Sequence, residues 1–403
     1  MFERCLIVSL MKRSLIVCLL FSLIFVNTVC HATAQTPPAL DVRLITDEAE
    51  AVLAILARRK ANETISDADW KRVFESEGYV RLKKRETSMQ RPFEDAEFKT
   101  FVLSDKLADR AKPLEETLDR WKRADVTRAA NLALGYLPKE SRIKAKIYPV
   151  IKPRDNSFVF DIKNDPAIFL YLDPAVSREK FENTLAHELH HIGYGSTCPV
   201  TITSAEIAKL PSNTQKALMW TGAFGEGFAM LAAAGGPDVH PHAVSEAEER
   251  KRWDKDLANF NNDLKRVEKF LSDVVSGKLT EEEIQNTGFS FFGTQGAWYT
   301  VGWKMAVLIE KTFGRAKLID CFCDQRKLLA TYNDAAEKHN QESKPLLALW
   351  SISLVEKFSA SSRDTNEDPV ELNAPGTQSL RAPAPKAPGR KSSDSRGNSR
   401  DGR

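Results

Sequence analysis

The stretch Leu185-Ala-His-Glu-Leu-His-His-Ile-Gly193 decides how the rest of this 403-residue chain is read. It contains His187-Glu188-x-x-His191, an HExxH pattern. Residues four apart share one face of an α-helix, so both imidazoles can reach a single metal ion. Glu188 then stands beside that ion, placed to take a proton from a water the ion activates. Phe181, Leu185, Leu189 and Ile192 form an apolar stripe on the other side. They predict a helix over Ser177 to Ile192, buried along that stripe and stopped at Gly193 and Gly195.

A pattern with two free positions also arises by chance, so the test is the remaining ligand. Catalytic zinc takes three protein ligands and keeps one position for water. A third histidine at the short spacing would need Gly at 194 and His at 197, where Tyr194 and Thr197 stand. Between Ile192 and Pro237 there is no His or Asp, and the carboxylates are Glu206 and Glu226. Glu206, in Ser204-Ala-Glu-Ile-Ala-Lys209, reads as a solvated helix start. Glu226 is the one charge in Ala217-Leu-Met-Trp-Thr-Gly-Ala-Phe-Gly-Glu-Gly-Phe-Ala-Met-Leu-Ala-Ala-Ala234. A carboxylate in such an apolar helix costs several kcal/mol unless a cation or donor meets it, and a metal would. A pairing with Arg or Lys is the plain alternative. Gly222, Ala229 and Ala233 share its face and leave room for a close approach to the HExxH helix.

His187, Glu188 and His191 on one helix, with Glu226 in Gly225-Glu-Gly-Phe-Ala229 on the next, resemble the gluzincin class of zinc metallopeptidases. With Ala186–Gly193 and a later Tyr299-Thr-Val-Gly302, they look like an uncharacterised bacterial family of zinc-dependent peptidases. The likeness covers roughly 140 to 350, and the N-terminal helices more loosely. It implies a zincin fold, one zinc ion and hydrolysis of peptide bonds. It also implies that Tyr299 donates to the tetrahedral oxyanion, with Gly302 leaving room beside the phenol; spacing alone would make Tyr299 a core tyrosine. Two departures from thermolysin-like enzymes stand out. The gap from His191 to Glu226 is longer, and Met230 occupies the place of an orienting aspartate, so the partner of His187 is unassigned.

The expected fold class is α+β, mainly helical. N-terminal helices span 35–140, with a closing signal at Glu77-Gly78-Tyr79, and a zincin-like domain with a small mixed sheet spans 141–358. Alternation over Ile143–Ile151, then Phe158–Ile162 and Ala167–Leu172, predicts a meander leading into the HExxH helix. His240 and His242, in Asp238-Val-His-Pro-His242, are secondary candidates for proton donation or cleft closure, against a reading as solvated loop histidines. His190, turned about 100° from its helix neighbours, is read as packing.

The ends carry a different kind of information. Lys12-Arg13, the apolar run Leu15–Val26 and Ala32-Thr33-Ala34 match a secretory signal over 1–34, cut near Ala34. The expected location is therefore secreted or periplasmic, with no stable membrane span after cleavage and an uncleaved anchor as the alternative. From 359 to 403, Pro, Ser, Ala and Arg displace apolar residues, the composition of a disordered tail. The net charge of +3 gives no hint of a nucleic-acid partner; the resemblance implies a peptide or protein substrate. Outside the leader, Cys198, Cys321 and Cys323 are too few for a disulfide scaffold but allow one bridge from Cys198 to the pair. Two rival functions remain open: a catalytically silent zincin-like binding protein, and a zinc hydrolase of non-peptide amides or esters.

Overall fold

A computed structural model of the chain describes residues 39–359, apart from Pro92, 202–206 and Thr294. The expected leader over 1–34, the expected tail from 360 on and the helix start expected at Glu206 lie outside the described residues. The chain enters through β1 (Leu40–Leu44) and seven helices: α1 (Asp47–Lys60), α2 (Asp67–Phe74), α3 (Glu77–Ser88), α4 (Asp95–Val102), α5 (Asp105–Ala108), α6 (Ala111–Lys122) and α7 (Val126–Leu134). Strands β2 (Ile143–Val150), β3 (Phe158–Phe160) and β4 (Ala167–Tyr171) lead into α8 (Arg178–Thr201). Then come α9 (Ser212–Thr221), α10 (Gly225–Ala234), α11 (Ala247–Ala258), α12 (Phe260–Val275), α13 (Glu281–Ser290), α14 (Ala297–Phe313), α15 (Arg315–Cys323), α16 (Leu328–Glu342) and α17 (Ile352–Ser359). The fold is α+β and mainly helical, with a small mixed sheet.

The sheet corrects the expected meander. Its order is β1-β2-β4-β3, with β1, β2 and β4 parallel and β3 antiparallel to β4. Burial explains the order. Ala167 to Leu170 are buried on both faces, so β4 takes a central place, and the three-residue β3 takes an edge. The strand at Leu40–Leu44 was read as the start of the helical region. Its Leu40, Val42 and Leu44 alternate with Asp41 and Arg43, a period of two, and parallel pairing with β2 requires the helical crossover that follows. Glu77-Gly78 opens α3 instead of closing α2, because the Asp47 carboxylate accepts from both backbone N–H groups, at 2.5 and 3.1 Å.

Alternation then divides the sheet. Ile143, Ala145, Ile147, Ile168 and Leu170 share a core with α1, α6, α7 and the Phe181, Leu185, Leu189, Ile192 stripe of α8. Tyr148, Val150, Phe158 and Phe169 face the other way, toward Leu82 of α3. A larger core joins α9, α10, α12, α14, α15 and α16. The HExxH helix is therefore clamped between a sheet on one side and a helical half on the other.

Helix α8 passes the expected stop and runs to Thr201. Gly193 serves close packing here, since a Cβ would come within 2.3 Å of Leu137 Cδ1 and 3.1 Å of Ile143 Cγ1. The extension brings Cys198 to Cys323 of α15, where the two form a disulfide, and leaves Cys321 buried as a thiol.

Candidate metal centre

Three side chains meet where α8 faces α10. His187 Nε2 and His191 Nε2 are 3.0 Å apart, and Glu226 Oε2 lies 3.2 Å from the first and 3.3 Å from the second. Tetrahedral bonds of about 2.0–2.1 Å hold neighbouring ligand atoms about 3.3 Å apart, so this triangle has the size of one face of a zinc site. The His187, His191 and Glu226 side chains keep 11, 21 and 20% of their surface exposed, so the triangle is open to solvent. Among the described residues, this is the group of His, Cys, Asp and Glu side chains that could hold a metal ion. The donor set, two imidazoles and one carboxylate, suits zinc.

The charges in the triangle answer one another. Burial alone would raise the Glu226 carboxyl, but His191 and His187 outweigh it and hold it well below the usual range. Burial would lower His191, and Glu226 outweighs that and raises it. Glu188 is buried on the turn between the two histidines. Among the described residues His187 Nδ1, which is buried, has no hydrogen-bond partner, and none of them supplies the missing orienting acceptor.

Local sequence explains how Glu226 gets there. The apolar stretch is not one helix: α9 ends at Thr221, a 3-10 turn spans Gly222–Phe224, and α10 starts at Gly225. The small residues divide their work. Ala233 packs with the core face of α8, and its carbonyl accepts from Asn183 Nδ2 at 3.1 Å. Gly222 instead abuts Gln325, where a Cβ would sit 3.0 Å from Nε2. The tightest contact is at Gly227, where a Cβ would meet Trp303 N at 2.0 Å and Tyr299 O at 2.4 Å. Tyr299 thus lies on α14 against the residue that follows Glu226, half-buried beside the larger core. Gly302 lets α14 cross Phe224, whose carbonyl a Cβ would approach to 2.5 Å.

His240 and His242 are not solvated loop histidines, and their ring nitrogens are all engaged. His240 Nε2 meets Asp254 Oδ1 at 2.9 Å, and its Nδ1 accepts from the His242 backbone N–H at 3.0 Å. His242, 3% exposed, contacts Ser245 Oγ through Nδ1 and the Gln295 amide through Nε2, both at 2.9 Å. Lys180 of α8 reaches Ser245 Oγ at 2.6 Å and Glu249 at 3.0 Å, so this network ties the first turn of α8 to α11. Burial lowers His242, while its contact and Lys180 hold Glu249 well below the carboxylate range. His190 packs edge-on against Phe228 at 4.6 Å, and burial keeps it neutral. Gln295 and Gln325 were not singled out from the sequence, because a glutamine between helices leaves no periodic or compositional mark.

Residues 44–341 match the model of a family described as "Putative zinc dependent peptidase (DUF5700)". No curated protein and no solved structure matches the chain.

Proposed function

This chain belongs to that zinc-dependent peptidase family, and from that premise we propose that it hydrolyses peptide bonds at a single zinc ion held by His187, His191 and Glu226. The observation that carries the reading is the 3.0–3.3 Å triangle of ligand atoms, open to solvent. His187, His191 and Glu226 would hold the ion, which would supply Lewis-acid polarisation of the scissile carbonyl and acidify a water. Glu188, buried between the two histidines, would accept a proton from the attacking water and deliver it to the leaving amine. Tyr299 donates to the oxygen of the tetrahedral intermediate. An extended peptide adds to the sheet edge at β3, which pairs with β4 alone. A secretory leader cut near Ala34 takes the protein to the periplasm or outside the cell. The Cys198–Cys323 disulfide suits that oxidising compartment.

The test is Glu188→Gln, assayed on a peptide library with zinc content measured in parallel. The expected outcome is full zinc occupancy with turnover lowered on the order of 100- to 10,000-fold. Unchanged turnover would remove Glu188 from the chemistry. Zinc binding with no hydrolysis of peptides, amides or esters by the unaltered chain would make it a binding protein.

A further inference from the structure

A hydrogen-bonded wedge at the end of α15 touches both ligand-bearing helices. From α8, the Tyr194 hydroxyl, three residues past His191, donates to the Phe322 carbonyl at 2.7 Å and accepts from Gln325 Nε2 at 3.3 Å. From the other side, the Thr221 hydroxyl that closes α9 shares its one proton between the Leu218 carbonyl at 2.6 Å and Gln325 Oε1 at 3.2 Å. Gly222 leaves the space that the Gln325 amide fills. The Phe322 ring packs at 4.4 Å on Phe228, two residues past Glu226, and Phe228 packs in turn on His190. The wedge itself is fixed, since Cys323, two residues before Gln325, is bonded to Cys198 at the far end of α8.

We propose that Gln325 is a positioning residue for the metal centre: its amide spans Tyr194 and Thr221 and sets the spacing between the helix that carries His187 and His191 and the segment that carries Glu226. The amide suits this task because one planar group offers a donor to one helix and an acceptor to the other. It carries no charge, and burial pushes the Tyr194 phenol up to about 12, so neither end of the link titrates near neutral pH. A shift of a fraction of an ångström between the helices would change the 3.0–3.3 Å triangle directly.

The inference rests on the zinc reading of that triangle, and one experiment separates the two. Zinc affinity is measured by chelator competition on the full chain, unaltered and with Gln325→Leu, Tyr194→Phe and both together. The visible spectrum of cobalt bound in place of zinc is recorded for each. Gln325→Leu is expected to weaken zinc binding about 10- to 100-fold, the scale of losing a partner beyond the ligands, and to alter the cobalt bands. Tyr194→Phe should weaken it less, and the double variant should fall short of the sum of the two single losses, because the Gln325–Tyr194 bond is counted in both. Folded variants that keep the zinc affinity and the cobalt spectrum, even with a lower melting temperature, overturn the positioning role. Should Gln325→Leu fail to fold, the same two readings on Gln325→Met, which keeps the length of the side chain without its amide, decide it. An unaltered chain that binds no zinc overturns the metal reading itself, and this inference with it.

Discussion

Two glutamates of this molecule, Glu226 half-buried and Glu48 buried, are treated in opposite ways. Glu226 faces two imidazoles across 3.2–3.3 Å and is held ionised, with solvent at hand. Glu48 sits 1% exposed near the end of β2, where one oxygen accepts from the Ile151 N–H at 3.0 Å and the other has no partner. Burial pushes its carboxyl up to about 8, and the same burial brings the neighbouring Lys152 amine down to about 7. Lys152 is nonetheless fully engaged, by the Arg154 carbonyl and by Asn156 Oδ1 at 2.6 Å. A buried, perturbed charge does not by itself make a site. What separates the two is convergence: at Glu226 three atoms able to ligate a metal meet on one open point, whereas at Glu48 a single backbone amide meets a closed one.

The largest effect that would break the contrast is at the open site. Glu226→Ala should lower zinc affinity more than the ~100-fold expected for losing an outlying partner, and turnover should fall with it. Equilibrium dialysis against zinc measures the first. Retained affinity would mean that another group completes the set.

At Glu48 the expected effect is on stability. The folded protein holds a proton there that the unfolded chain gives up above its ordinary value of 4.5. Stability is therefore fullest below that value and falls as pH rises toward about 8. Glu48→Gln removes the dependence, so the variant should gain ~1–4 kcal/mol over the unaltered protein at pH 8 and little near pH 4. Urea unfolding at the two pH values reads this directly, and a gain equal at both would contradict it.

The smallest effect on chemistry is expected at His242, the buried histidine whose ring nitrogens are both committed. His242→Gln should cost about 1–2 kcal/mol of stability, seen in thermal unfolding, and leave turnover unchanged. A selective loss of turnover would bring that network into the reaction.

The same contrast shows what the sequence could reveal. Glu226 was conspicuous because it is the single charge in an apolar run, and HExxH because a spacing of four has one meaning on a helix. Glu48 was hidden in Asp47-Glu48-Ala49-Glu50, where acidic residues are ordinary at a helix start. Gly193 was read as a stop because a glycine that ends a helix and one that admits a neighbour look alike in one dimension. Strand order was hidden for a similar reason: which strand is central depends on what covers both faces of β4. The amides of Gln295 and Gln325 act across 53 and 131 residues of chain, a distance at which local patterns carry no signal.

The central claim is that Glu226 completes the site that HExxH begins. A crystal structure of the zinc-soaked protein, with anomalous data at the zinc edge, tests it most directly. The account predicts one strong peak within about 2 Å of His187 Nε2, His191 Nε2 and a Glu226 carboxylate oxygen. A peak at the two histidines with Glu226 turned away, or zinc bound elsewhere, would contradict it.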